Sequence, residues 1–373
     1  MSAERQDDDL PLWASAGVLP VLQLATAFAL SGLVVLAIGE SPLEAVKLLV
    51  FGAFGYGEAV GYTLYYATNF IFTGLAVSVA FRCGLFNIGG EGQAIMGGLG
   101  LTLVALYLGD LPALLLIPLA MLGAAALGAA WAAIPAWLQA RRGSHIVITT
   151  IMFNFIAASF VSWLLVGILK HPDAQSLESP DFPMAAWMPK IHDVFASMGI
   201  NIEGSPLNLS FVVALACCAL AWFFIERTKW GYAIRVVGGN PHAARFGGIS
   251  VSRNIVLSML VAGGLAGLMG LNELMGVQHR LIANFTMGFG FVGIAVAFMG
   301  RNHPIGIVLA AVLFGALYQG GAEVAFEMPG ITRDLIVMVQ GLVILFAGAL
   351  EHLFRPQLRY LLRRLQPAEA ANG

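Results

Sequence analysis

Residues 84–93 read Gly84-Leu85-Phe86-Asn87-Ile88-Gly89-Gly90-Glu91-Gly92-Gln93. The stretch sits between an apolar run at 58–81 and another at about 91–109, and four of its ten residues are glycine. Glycine admits φ > 0 and weakens a helix, so these residues predict a break between two helices. Glu91 falls where the second helix starts, where the positive end of the helix dipole favours a carboxylate. A charge placed deep in hydrocarbon still costs on the order of 3 kcal/mol. Two readings follow. One is a tight turn at the inner surface with a solvated Glu91. The other is part of a translocation pathway or its gate, because polar backbone at membrane depth is tolerated only against protein or a wet cavity.

The rest of the chain makes a membrane setting necessary. Of 373 residues, 59% are hydrophobic and 11% charged, and the mean hydropathy is +0.83. Soluble domains carry about 25% charge, and disordered chains are poor in hydrophobic residues, so both classes are excluded. Ten runs are long enough to be spans: 14–38, 58–81, 91–109, 112–138, 146–169, 207–225, 254–276, 286–299, 304–322 and 332–350. The amphipathic segment 41–57 is expected in the outer interface. An acidic N-terminus (Glu4, Asp7, Asp8, Asp9) followed by a long apolar run reads as a retained first span.

Ten spans place both termini on one side. With that side inside, cytoplasmic segments hold fourteen of the 19 Lys and Arg residues, and outer segments only Lys47, Lys170, Lys190, Arg280 and Arg333. Net charge is −2, and nothing in it points to nucleic acid. Cys83, Cys217 and Cys218 form no CxxC pair, which disfavours a disulfide framework or a zinc site.

Gly288-Phe289-Gly290-Phe291-Val292-Gly293 matches GxGxxG, but no strand precedes it and no βαβ unit surrounds it, so a dinucleotide site is not supported. Its position is more informative. The break at 84–93 follows an inward-running span and the one at 288–293 an outward-running span. Paired glycine breaks in oppositely oriented halves are a mark of inverted repeats with a pathway between them. In the inner loop, Asn240 is a strong N-cap, Pro241 suits the first helical position and Gly247 follows Phe246. The result is a stub helix that spans nothing, read either as a loop ornament or as a docking element for another protein. Asn69, Asn154, Asn272, Glu273 and Gln340 lie inside spans and read first as interhelical hydrogen-bond partners. Gly263 and Gly267 read as close helix packing. No lysine follows a glycine, so the chain has no P-loop and hydrolyses no ATP by itself. In the tail, Arg355, Arg359 and Arg363 share one helix face, as expected of an interfacial helix on anionic lipid.

The runs Phe86–Gln93, Gly239–Ser250 and Gly288–Ala297, in this order and spacing, resemble the permease subunits of bacterial nucleoside-type ABC importers, within the branched-chain amino acid and simple-sugar permease family. The similarity spans about 58–350. It implies an all-α type II importer-like domain of about ten helices in two inverted halves with glycine-broken helices. It implies that the stub Asn240, Pro241, His242, Ala243, Ala244, Arg245, Phe246 couples to a separate ATP-binding subunit carrying ATP and Mg, with no cofactor on this chain. A second homologous permease and an extracytoplasmic substrate-binding lipoprotein would complete the importer in the bacterial inner membrane, with both termini cytoplasmic. Candidate pathway residues are Asn87, Glu91, Gln93, Asn154, Phe153 and Phe291. Nucleosides lead as substrate, with simple sugars as the alternative. An ion-coupled secondary transporter using Glu91 or Glu273 is the alternative of another class. The chain divides into 1–57, a first half at 58–169, an outer loop at 170–206, a second half at 207–350 with the coupling loop at 226–253, and a basic tail at 351–373.

Overall fold

The structure, a computed structural model, describes residues 11, 18–171, 175–332, 335–342, 345 and 356–359. Its helices are α1 (Leu19–Ala37), α2 (Pro42–Phe54), α3 (Gly57–Arg82), α4 (Gly90–Tyr107), α5 (Ala113–Arg142), α6 (Ile146–Val166), α7 (Ile191–Ser197), α8 (Ser210–Arg227), α9 (Lys229–Gly239), α10 (Pro241–Phe246), α11 (Val251–Gly267), α12 (Phe289–Met299) and α13 (Pro304–Glu327), with a π-helix at Leu271–Gln278 after α11. Among the described residues the only β pairing is two isolated bridges. Among the described residues six helical segments are long and apolar enough to cross a membrane, namely Gly57–Arg82, Ala113–Arg142, Ile146–Val166, Ser210–Arg227, Val251–Gln278 and Pro304–Glu327. Ala25–Ala37 and Phe289–Met299 are shorter apolar helices. The acidic stretch 1–10 and most of the basic tail, including Arg355 and Arg363, lie outside the described residues.

The chain forms two compact units, 1–50 with 321–373, and 51–320. In the first, Val35, Val324, Met328 and Ile331 make a small apolar core, with Leu48, Leu49 and Ile336 packed on it.

In the second unit α5 lies along α4 and α11, while α3 packs against α12 and α11. Small residues set these distances. A methyl group on Gly97 of α4 would overlap the backbone of Gly267 of α11, and one on Gly128 of α5 would overlap the carbonyl of Gly263. In a membrane, where lipid tails are as apolar as leucine, such backbone approach supplies much of the packing attraction between helices. Gly263 and Gly267 are therefore structural, as the sequence indicates. One core cluster joins Ala76, Val79 and Ala80 of α3 to Met259, Ala262 and Ala266 of α11, and includes Ile234, Val237 and Ala244 from the segment between α8 and α11.

That segment is more ordered than a loop with one stub. Thr228 caps α9 by accepting from the Gly231 N–H, and the α9 side chains Ile234 and Val237 are buried. A Cβ on Gly238 would overlap the Arg82 carbonyl, so α9 ends pressed on the C-terminal end of α3. The sequence signal of α9 is its amphipathic spacing, outweighed on reading by its charges and glycines.

Candidate functional site

The first break begins where α3 stops. Gly84 takes φ +75°, and α4 starts at Gly90. Between them, Asn87 folds its side chain back on the turn. Its Oδ1 accepts from the Gly89 N–H (2.9 Å) and from Gln93 Nε2 (3.1 Å), while its Nδ2 donates to Gln93 Oε1 (3.0 Å). Asn154 of α6 holds the same turn from outside. Its Oδ1 accepts from the Gly92 N–H and its Nδ2 donates to the Ile88 carbonyl, both at 2.9 Å. The two amides thus satisfy backbone groups that a helix start leaves open.

The second break supplies the partner for Glu91. Gly288, at φ +82°, caps α12. Glu91 Oε1 accepts from the Gly288 N–H (3.0 Å) and from the Thr286 hydroxyl, and Oε2 accepts from the Gly290 N–H (2.8 Å). The N-terminal ends of α4 and α12 therefore meet on one carboxylate. Two positive helix ends and a hydroxyl donor offset its burial. Gly290 is required by contact, since a Cβ there would overlap the Glu91 backbone.

Asn87, Glu91, Gln93 and Asn154 are brought into one corner and are all buried, each bonded to protein. The solvated reading of Glu91 is overturned, because its oxygens are taken by α12 and it is 6% exposed. Phe153 leans on the Trp131 ring (centroids 5.2 Å), and its carbonyl accepts from Trp131 Nε1. Phe291, one residue beyond the clamp, is 46% exposed.

A second polar cluster lies toward the other end of α3. Asn69 Nδ2 donates to Glu273 Oε1 (2.6 Å), and Asn272 Nδ2 donates to Asn69 Oδ1 and the Tyr65 carbonyl (both 2.9 Å). Asn208 Nδ2 and Ser210 Oγ complete it by donating to Asn272 Oδ1. Glu273 and Asn272 sit on the π-helix, whose wider turn frees side chains to face α3 and α8. Asn69, Asn272 and Glu273 are interhelical partners, as their place inside spans indicates. Asn208, Ser210 and Thr286 are not legible in advance, because they lie at segment ends where a polar residue is unremarkable.

The loop at 170–206 is fastened down by backbone bonds, ion pairs and a ring stack. Ser179 N–H donates to the Leu281 carbonyl (2.9 Å), Phe182 N–H to that of His279 (2.7 Å) and Met188 N–H to that of Met275 (2.9 Å). Arg280 pairs with Glu178 and Asp181, each at 3.2 Å, and the Trp187 ring stacks on His279 at 3.9 Å. Burial, then the nearby Lys190 ammonium, holds the His279 imidazole below its ordinary range. Residues 178–188 thus form a strap along the segment 279–283, which runs directly into Thr286 and Gly288. His279, Asn284 and Met287 on this stretch all have positive φ, a costly backbone for residues with side chains.

On the opposite face, Asn240 caps α10 by accepting from the N–H groups of His242 (2.9 Å) and Ala243 (3.1 Å). Ala244 is buried in the core shared with α3, α9 and α11, while Pro241, His242, Ala243 and Arg245 are exposed and Phe246 is 95% exposed. The stub thus holds an exposed apolar ring next to a buried anchor.

The family model described as the branched-chain amino acid transport system / permease component matches residues 59–348. The chain is 36% identical over 341 residues to the guanosine ABC transporter permease protein NupP of Bacillus subtilis, covering 89% of this chain and 93% of that one. It is 34% identical over 385 residues to the glucose ABC transporter permease protein TsgB13 of Haloferax volcanii, covering 100% and 99%. It is 32% identical over 338 residues to the nucleoside ABC transporter permease protein NupB of Lactococcus lactis, covering 88% and 90%.

Proposed function

Since this chain belongs to the branched-chain amino acid transport system permease family, we propose that it is the membrane-spanning subunit of an ATP-driven importer for nucleosides. The observation that carries the ATP-driven part is α10, which offers Phe246 and Arg245 to a partner while Ala244 is rooted in the core. Force applied there passes through Ile234 and Val237 to α3 and α11. The partner is an ATP-binding subunit that holds ATP and Mg, this chain contributing no cofactor. A second homologous permease and an extracytoplasmic substrate-binding lipoprotein complete the machine in the inner membrane of a bacterium. Both termini are cytoplasmic, as the placement of Arg and Lys favours. The nucleoside substrate rests on the similarity to a guanosine permease and a nucleoside permease.

In this reading Asn87, Glu91, Gln93 and Asn154 form the wall of the pathway from behind. They hold the two helix ends in register so that Phe291 of α12 and Phe153 of α6 each present an aromatic surface to a passing base. Because Glu91 joins α4 to α12, the two move as one body when α10 is driven. Simple sugars are the second reading, favoured by the full-length match to a glucose permease. An ion-coupled mechanism has less support, since Glu273 is 3% exposed and bonded to Asn69 and Tyr65.

The test is uptake of labelled guanosine and ribose into proteoliposomes holding the assembled complex and its binding protein. Guanosine uptake that requires ATP hydrolysis supports the proposal. Ribose uptake under the same requirement transfers it to sugars, and uptake driven by a proton gradient without ATP overturns it. Phe246→Ala and Arg245→Glu are expected to lose uptake and assembly with the ATPase while this chain keeps its melting temperature.

A further inference from the structure

An open groove of about 540 Å³ runs between α8 and the start of α13. Leu215, Ala219 and Trp222 form one wall, and Pro304, Val308 and Leu309 the other. The wall from Leu215 to Trp222 is eight residues, or seven helical rises, so the groove extends about 10 Å along the helix. Its lining is apolar for that length, and the polar groups gather at one end only. There His303 flanks Trp222, and the Arg227 guanidinium lies over the Trp222 ring at 5.3 Å.

A smaller recess continues from the same end, sharing Trp222 and His303 and adding Arg82, Glu226 and Asn302. Glu226 is taken by Arg235, and Arg82 Nη2 donates to the Asn302 carbonyl at 3.0 Å. At this end Arg82, Arg227 and Arg235 outnumber the one carboxylate, Glu226, leaving the mouth cationic. Asn302 Oδ1 is buried there without a hydrogen-bond partner, an acceptor awaiting a donor.

We propose that this groove is a phospholipid site, with one acyl chain lying between α8 and α13 and an anionic glycerol-type headgroup at Trp222, Arg227 and His303. The apolar length suits the upper part of an acyl chain. The cationic mouth complements a phosphodiester, and a headgroup hydroxyl would donate to Asn302 Oδ1. Under the topology proposed above, the mouth faces the inner leaflet, where tryptophan and arginine are at home beside headgroups. The occupant is lipid rather than protein because the polar groups are confined to the depth at which a headgroup lies.

The experiment uses the assembled transporter in proteoliposomes containing phosphatidylglycerol with a photoactivatable acyl chain, and reads cross-linked peptides by mass spectrometry. Label is expected to concentrate on 215–222 and 303–309 above that on Leu114 and Leu122 of α5, which are exposed but line no groove. Ala219→Trp, which fills the groove, should lower groove labelling by about tenfold, the loss that about 1.4 kcal/mol represents. Leu309→Trp does the same from the opposite wall and covers a failure of the first variant to assemble. Arg227→Gln should remove the preference for phosphatidylglycerol over a matched phosphatidylcholine probe. Label spread evenly between the groove and α5, or groove label unchanged in both tryptophan variants, overturns the site. So does a groove shielded from both probes in the complex, which would mean that another protein chain covers it. The readout is labelling, not transport, so it is independent of the substrate assignment.

Discussion

The two glycine breaks meet at one point yet are built in opposite ways. At 84–93 the chain brings side chains to satisfy backbone, with Asn87, Gln93 and Asn154 bonded to the turn around Gly89 and Gly92. At 286–293 the backbone itself is the donor, and its acceptor, Glu91, comes from the other break. The first is fixed internally and by α6. The second depends on a carboxylate of the first and on the strap that leads into it. A break that relies on borrowed charge loses its form when that charge is removed, so the α12 start is the dependent element, tied to α4 through Glu91.

Substitutions can break or sharpen this contrast. The largest effect is expected from Glu91→Gln. It removes the charge on which two backbone N–H groups and a hydroxyl converge and turns an amide donor toward them. A loss of about 2–4 kcal/mol in stability is expected, with uptake falling at unchanged membrane insertion. Thermal unfolding of the purified complex together with uptake checks it, and native values in both would remove the clamp from the account. Asn154→Ala follows. It strands the Gly92 N–H and the Ile88 carbonyl, at about 1–3 kcal/mol, but should leave the α12 start intact. Hydrogen exchange should therefore rise at 88–93 and not at 288–293, and an equal rise at both would show the breaks to be less distinct than argued.

Phe291→Ala should change stability by less than about 0.5 kcal/mol, because the ring is largely exposed. Its effect should fall on the concentration dependence of uptake, and an unaltered dependence would take Phe291 off the pathway. The smallest effect concerns the strap. The folded imidazole of His279 is held below the ordinary histidine value of about 6.5, so the unfolded chain takes up a proton first as the solution is acidified. This contribution is fully present above about pH 6.5 and is lost as pH falls through the folded value. Exchange protection at 179–188 should fall with acidification in the native protein, and the pH dependence should vanish in His279→Gln.

How much of this the sequence discloses depends on how local the physics is. Helix spans, glycine breaks and the Asn240–Pro241 start are legible because each rests on neighbouring residues. The burial of Asn69, Asn272 and Glu273 follows from their place in apolar runs, but not which of them pair. Glu91 could be placed at a helix start, whereas its partners, Thr286, Gly288 and Gly290, lie about two hundred residues away. Nothing local links them. The strap and α9 were hidden for a related reason, since proline-rich and charged segments read as loops until the surface they rest on is known.

The most direct test of the central claim, that one carboxylate joins the two breaks into a single moving wall, is a double-mutant cycle in the assembled importer. Guanosine uptake and thermal unfolding would be measured for Glu91→Gln, Thr286→Val and the pair together. Because both residues serve one clamp, the pair should lose little more than Glu91→Gln alone, with a coupling of about 1 kcal/mol or more in stability. Losses that simply add would mean that Glu91 and Thr286 act separately, and would contradict the claim.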